Sequence, residues 1–350
     1  MYVWIFWYIC ILLLRKYKPN QQTMLNFTHF NSLIQVIKHF SSEKNCYSFL
    51  THQRWKDGVV RCPYCGSTHI AHRNDSKQPY RCEKCNRSFS VLVGTIFENT
   101  KLPISKWIIG MYLISSHKNG ISSVQLAKDI EVTQTTAWYM LHRVRTLMKQ
   151  DEDRKLSGDI ECDEMYLGGR ETNKHNNHKT EKTQGRSTKT KTPIFGMVET
   201  TKYIDEKGNP RIHTYVRVQM VSDCKSKTLI NIIENNVANG SNITTDELGV
   251  YCAIDRSKKQ YNHAVVCHKD REFTNKDGFT TNRIEGFWGG FKRMVFGTYH
   301  MVNRSYLSRY IDESAFRYNT KELTEGQRFE LMFDIAFGKK CQYCDVKMVS

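Results

Sequence analysis

The chain has 350 residues, 39% hydrophobic and 25% charged, which reads as a soluble globular protein of two or three domains. Its 52 Lys and Arg against 35 Asp and Glu give a formal net charge of +17, spread along the whole chain, so the expected partner is a polyanion rather than a small-molecule substrate. Six of the twelve cysteines form three CxxC pairs (Cys62/Cys65, Cys82/Cys85, Cys341/Cys344), a spacing that excludes a secreted disulfide framework and points to reduced thiols and metal binding in an intracellular protein.

Residues 1–23 begin MYVWIFWYICILLL, followed by RKYK. The apolar run is shorter than the about 20 residues of a membrane span. It has neither a positive n-region nor a small-residue cleavage site, so it is a poor signal peptide. It is read as an over-extended start ahead of Met24 rather than an anchor, and a membrane is not an expected partner. Residues 24–60 predict short helices. Residues 61–93 hold CxxC, sixteen residues and CxxC, the arrangement of a zinc ribbon with Cys62, Cys65, Cys82 and Cys85 around a structural Zn²⁺. Gly66 and Asn86 follow the two pairs and suit a tight turn, and Tyr80 and Phe89 suit the flanking strands.

Residues 103–149 are helical in pattern. ISKWIIGMYLISSHKNG makes one apolar helix ending at Gly120; SSVQLAKDI makes a short one; TQTTAWYMLHRVRTLMK makes a third, opened by a Thr133 cap. The last two, joined by a tight turn, read as a helix-turn-helix-like domain, with Gln134, Thr135, Thr136, Arg143 and Arg145 as DNA-contacting candidates.

From residue 155 to 320 strands and helices alternate. GDIECDEMYLGG is a strand, followed by a polar loop from Arg170 with seven Lys and Arg against two Glu, containing His175 and His178. The loop either contacts phosphate or is simply solvated. PIFGMVET and RIHTYVRVQMV are strands, KSKTLINIIENNV is an amphipathic helix, and GSNITTD and YNHAVVCH are strands. TTNRIEGFWGGFKR and SYLSRYIDESAFRYN are helices. The order β-β-β-α-β-α-β-α is that of an RNase H-like domain, so the expected fold is α/β: a mixed-sheet catalytic domain behind a zinc ribbon and a helical domain. Residues 321–350 are expected to be a tail, with Cys341 and Cys344 as packed or surface thiols rather than a second metal site.

Asp163 lies inside an apolar strand, where a lone Asp is unfavourable unless a metal or hydrogen bonds satisfy it. Glu161 and Asp163 share one face of that strand and Glu164 takes the other. Asp246 ends the fourth strand and Glu285 stands on the later helix. Three carboxylates converging on such a sheet suit two divalent cations, Mg²⁺ or Mn²⁺, and phosphoryl transfer.

The stretches RWKDGVVRCPYCGS, ECDEMYLGG, IFGMVE, ITTDELGVY, TTNRIEGFWGGFKR and YLSRYIDESAFRYN, in that order, resemble the zinc-ribbon DDE transposases of bacterial insertion sequences, the ISXO2-like group related to the eukaryotic Merlin elements. The resemblance implies a recombinase that cuts element ends and joins 3′-hydroxyls to target DNA, working on double-stranded DNA as a homo-oligomer of at least two copies. It implies Asp163, Asp246 and Glu285 as the catalytic acids, with Lys292 as the basic residue after the third and Arg293 beside it on the DNA. Asn282, one turn before Glu285, remains an alternative third ligand, since some members carry asparagine there. A catalytically inactive, domesticated DNA-binding derivative is the competing function.

Overall fold

The structure is a computed structural model that describes residues 30–73, 77–168, 175, 177, 179–180, 187–267 and 278–338. The apolar stretch 1–23, most of the basic loop with His178, and Cys341 and Cys344 lie outside the described residues. Among the described residues no helix is long and apolar enough to cross a membrane. The chain divides into two compact units, Met1–Ile109 with Glu325–Lys340, and Gly110–Thr324 with Cys341–Ser350.

In the first unit, α1 (Leu33–His39) and α2 (Glu43–Arg54) are each opened by a serine, Ser32 accepting from Gln35 N–H and Ser42 from Asn45 N–H. The strands β1 (Ile70–His72), β2 (Tyr80–Cys82) and β3 (Ser88–Phe89) form an antiparallel ribbon. The segment expected to be a tail contains a helix, Glu325–Gly338, that belongs to this unit's core. Phe329, Met332, Phe333 and Ala336 recur at helical spacing and are fully buried, with the Phe333 ring 4.9 Å from Phe49 and 5.1 Å from Phe329. That apolar stripe is legible in the sequence. Helix α3 (Ile104–Ser116), whose residues from Gly110 on are counted with the second unit, begins where Glu43 accepts from the Ile104 and Ser105 N–H groups.

In the second unit, α4 (Ser123–Asp129) and α5 (Gln134–Leu147) form the expected helical pair. Ser122 and Thr133 cap them, and Glu131 turns the chain between them with φ +50°. Five strands follow: β4 (Asp159–Gly168), β5 (Lys191–Ile204), β6 (Pro210–Met220), β7 (Asn242–Asp246) and β8 (Asn262–Val266). They lie in the order β6-β5-β4-β7-β8; the two pairings on one side of β4 are antiparallel and the two on the other are parallel. Helix α6 (Ser226–Asn236) and a 3₁₀ helix, Gly249–Arg256, cover one face through Leu229, Ile233, Tyr251 and Ile254. Helices α7 (Asn282–Arg293) and α8 (Leu307–Asn319) cover the other through Ile284, Phe287, Trp288, Phe291 and Ile311. With both faces covered, β4 and β5 are buried at consecutive rather than alternate residues, and in β4 the buried residues include Glu161 and Glu164. The β-β-β-α-β-α-β-α order holds, its element between β7 and β8 being 3₁₀ rather than α. The outer edge of β6 is closed by two side-chain amides, Gln150 exchanging bonds with Val218 and Asn319 with Val216.

Two DNA-contacting candidates are displaced by packing. Arg145 is 1% exposed, and its Nε donates to Glu313 Oε2 at 2.7 Å. Its guanidinium also stacks 4.0 Å from the Tyr310 ring centre, so this charge is spent inside the fold and not on phosphate. Arg143 is buried on the same helix. The apolar face of α5 runs through Ala137, Met140, Leu141, Val144 and Leu147, and its turn places Arg145 beside that face. Glu313 also accepts from Arg317 Nη2 at 2.6 Å and from the Tyr299 hydroxyl at 2.8 Å. Tyr299 ends the π-helical turn Met294–Tyr299 that extends α7.

Burial alone would raise the Glu313 carboxyl, but the Arg145 and Arg317 guanidiniums hold it down at about 2. Because the folded value lies below the ordinary ~4.3 of an unfolded glutamate, this contribution to stability is complete above that range and lost as pH falls through about 2. Glu313→Gln, which leaves two guanidiniums without a counter-charge, should cost about 3–5 kcal/mol in urea unfolding at pH 7. The deficit relative to the unaltered chain should shrink on acidification below pH ~4.

Candidate metal centres and active site

The ribbon folds each CxxC pair into the same turn. Cys62 N–H donates to Ser67 O and Cys82 N–H to Arg87 O, both at 2.9 Å. The residues expected to make these turns, Gly66 and Asn86, have φ of +73° and +58°. Asn tolerates this left-handed backbone better than most side chains do. Tyr80 and Phe89 stack at 5.4 Å beneath the knuckles. The Sγ atoms stand 3.7 Å apart for Cys62 and Cys85 and 3.5 Å apart for Cys65 and Cys82, all four within 4.8 Å of one another. Backbone N–H groups, Cys85's first, and the neighbouring thiols lower the Cys82 thiol, while its partner Cys65 is raised by the adjacent sulfurs, so the crowded thiols ionise unevenly until a metal takes their protons' place. Four sulfurs in two knuckles fit tetrahedral zinc in a closed, structural site.

The second cluster is built around β4. Glu161 accepts from the Arg283 and Ile284 N–H groups at 2.8 and 3.1 Å and from Arg283 Nη1 at 3.0 Å, so a strand carboxylate caps the N-terminus of α7. Two residues on, Asp163 Oδ2 accepts from Trp288 Nε1 at 3.0 Å, and Oδ1 accepts from Glu164 N–H at 2.8 Å. Gly196 of β5 pairs with Asp163 in register. A Cβ at Gly196 would lie 2.7 Å from Trp288 Cζ2 and 2.9 Å from Ile284 Cδ1, so the absent side chain is the seat that lets α7 approach the sheet.

On the other side, β4 and β7 pair only as far as Glu161 opposite Thr244. Beyond that point β4 continues to Gly168 against β5 alone, and Asp246 ends β7 with its Oδ1 accepting from Leu248 N–H at 3.0 Å. The crevice opens beside the central strand, where the sheet changes from antiparallel to parallel pairing. Asp163, Glu164 and Asp246 each place a carboxylate oxygen within 4.8 Å of the others there. Burial, then the negative charges of Glu164 and Asp246, push Asp163 up to about 7. Buried like charges on hard oxygen donors are the chemistry of a site for Mg²⁺ or Mn²⁺, and the donor set fits such a cation.

The remaining site candidates do not join this cluster. Glu285 is exposed on the first turn of α7, accepts from Thr281 Oγ1 at 3.1 Å, and falls outside the group of three. Asn282 is the exposed first residue of α7, and Lys292 and Arg293 are exposed at its end. Gly286 has open space around it, and a Cβ at Gly289 would meet only the Arg293 guanidinium at 3.5 Å. Gln134 and Thr135 are exposed at the start of α5, and His175 is exposed in the loop. Sequence reasoning missed Glu164 as a member of the cluster, because strand alternation sends it to the opposite face. It also missed Glu161 as a cap, a role carried by long-range contact that leaves no local pattern.

A ribbon of four cysteines and a mixed sheet that gathers acids beside two parallel strands define an α/β protein with two clusters of candidate metal ligands. Residues 155–319 match the ISXO2-like transposase domain, and residues 41–88 match the transposase zinc-ribbon domain. An uncharacterised protein in the transposable element ISH50 of Halobacterium salinarum is 26% identical over 250 residues, covering 69% of this chain and 79% of the relative. The chain therefore carries an ISXO2-like transposase domain with a transposase zinc-ribbon domain in front of it.

Two measurements check the geometry. Cys65→Ser and Cys82→Ser should each release zinc, read by elemental analysis of the purified chain, while the far-ultraviolet signal of the second unit persists. Gly196→Val should destabilise the chain by about 1–3 kcal/mol, since overpacking must move Trp288 or α7.

Proposed function

We propose that this transposase cuts the ends of its element and joins the 3′-hydroxyls to target DNA, with the carboxylate cluster as the reaction centre and the five-stranded domain acting as an RNase H-like fold. The observation that supports this most is the meeting of Asp163 and Asp246, from two strands paired for only three residues, at the open crevice. An inactive derivative has no need of acids held together at a cost in stability. Bound there, Mg²⁺ or Mn²⁺ ions supply the Lewis acidity that activates a water or 3′-hydroxyl and stabilises the leaving oxygen.

The protein's own part is to hold and orient. Trp288 fixes one oxygen of Asp163 and the Glu164 amide the other, so the carboxylate plane is set before DNA arrives. The Leu248 amide does the same for Asp246. Glu285, or Asn282 one turn earlier, completes the site from the rim of α7 when DNA closes over it. Lys292 and Arg293 face the phosphates at the other end of that helix, and the basic chain as a whole attracts the duplex. Gln134 and Thr135 stand at the exposed start of α5, where the second helix of a helix-turn-helix pair reads base edges. Holding two element ends together requires at least two copies of the chain, acting where its DNA is.

In a strand-transfer assay with Mn²⁺ and duplex element ends, Asp163→Asn and Asp246→Asn should each lower turnover by more than ~100-fold with zinc content unchanged. Near-normal turnover of both would end this reading. Glu285→Gln compared with Asn282→Ala identifies the third position by which of the two loses activity. Gln134→Ala with Thr135→Ala should weaken binding to element ends without changing the unfolding midpoint, whereas Arg145→Met should lower that midpoint.

A further inference from the structure

We propose that Glu164 is an additional cation ligand of the reaction centre, held in place by Tyr251. The inference rests on the metal-binding reading of Asp163 and Asp246 and adds to it an acid from the opposite face of the sheet.

Along β4 the even-numbered side chains Ile160 and Cys162 enter the apolar layer beneath α6, whereas Asp163 and Met165 point toward α7. Glu164 follows the even-numbered set and is 91% buried, being 9% exposed. In an unbroken sheet that direction would strand a carboxylate among aliphatic side chains, where its charge loses the solvation of water. Two features change its surroundings. The pairing of β4 with β7 stops at Glu161, so alongside Glu164 the sheet is open and a side chain from the far face reaches the crevice. The chain leaving Asp246 turns into the 3₁₀ helix Gly249–Arg256, whose Tyr251 is 1% exposed and donates its hydroxyl to Glu164 Oε2 at 2.7 Å.

One tyrosine bond would be enough to satisfy a buried acid that had a purely structural role. It does not explain why the same carboxylate lies within 4.8 Å of both Asp163 and Asp246. Three acids crowded in a low-dielectric crevice repel one another, and a divalent cation turns that repulsion into coordination. Tyr251 then acts as a positioning residue. Its phenol orients the Glu164 carboxylate through a hydrogen bond, as outer partners of metal ligands do, and couples it to the turn that carries Asp246. Sheet faces alternate strictly, so ligands from both faces can meet only where the sheet parts, and here it parts at this cluster.

The test is Mn²⁺ binding to the zinc-loaded full chain without DNA, followed by the electron paramagnetic resonance signal of free Mn²⁺, with thermal stabilisation by Mn²⁺ as a second readout. Glu164→Gln keeps the size and the Tyr251 contact and should weaken Mn²⁺ binding about 10- to 100-fold, with zinc content unchanged. It should also raise the melting temperature of the Mn²⁺-free chain, because one of three repelling charges is gone. Tyr251→Phe leaves the carboxylate in place but unheld and should weaken binding by a smaller factor. Should Glu164→Gln lose zinc or secondary structure, Tyr251→Phe decides: weakened Mn²⁺ binding supports the proposal and unchanged binding overturns it. If Glu164→Gln binds Mn²⁺ as the unaltered chain does while Asp163→Asn and Asp246→Asn do not, Glu164 is no ligand and the site stands without it. If all three bind normally, the metal-binding reading itself has failed.

Discussion

The geometry of the acid cluster depends on how closely α7 lies against the sheet. That approach is set where Trp288 fits over Gly196 and passes its indole N–H to Asp163. A methyl group at Gly196 would meet the indole at 2.7 Å, so the smallest residue of β5 stands opposite the acid that needs the helix nearest. Glu161 fixes the other coordinate by capping the first turn of α7 from within β4. Helix start and helix body are thus both tied to the strand that carries Asp163, with Asn282 and Glu285 exposed on the first turn. Lys292 and Arg293 follow at the far end of the same rod.

The helical pair and the sheet belong to one compact unit, and the charges inside it serve packing as well as chemistry. Glu313 of α8 gathers Arg145 from α5, Arg317 from its own helix and Tyr299 from the π-helical extension of α7. Arg317 Nη2 also donates to the Ile114 carbonyl at 2.8 Å, which brings the end of α3 into the same network. Removing Glu313 would leave two guanidiniums without their shared counter-charge, so the arrangement favours one geometry of these helices over its neighbours. In a protein with so large an excess of basic residues, some arginines are structural, and their number on the chain overstates the charge available to DNA.

Much of this was legible because it rests on local spacing. The two cysteine knuckles, with Gly66 and Asn86 in the turns, follow from a pattern a few residues long whose physics is the reach of a thiolate around a metal. The Thr133 cap and the apolar stripes of α5, α7 and α8 follow from helical period alone. The helix Glu325–Gly338 carried the same signal in Phe329, Met332, Phe333 and Ala336, and its place in the first unit's core could not follow from it, since the rings it meets belong to residues nearly three hundred positions earlier. Arg145 was misjudged for a related reason, and Glu161 was given no role. A charge beside an apolar stripe looks solvent-facing until a distant partner is found for it.

The order of residues alone determines most of the strands and helices, the zinc knuckles and the presence of acids within and at the end of strands, because each depends on neighbours within a turn or two. Which acids meet is a property of the sheet. Asp163 and Asp246 come together because β7 pairs beside β4 and then parts from it, and Glu164 joins them because that parting lets a side chain from the opposite face through. Strand alternation assigns Asp163 and Glu164 to different sides, and that assignment is correct for the backbone. Only the opening between two strands, set by pairing across eighty residues of sequence, makes it the wrong guide to where their carboxylates end.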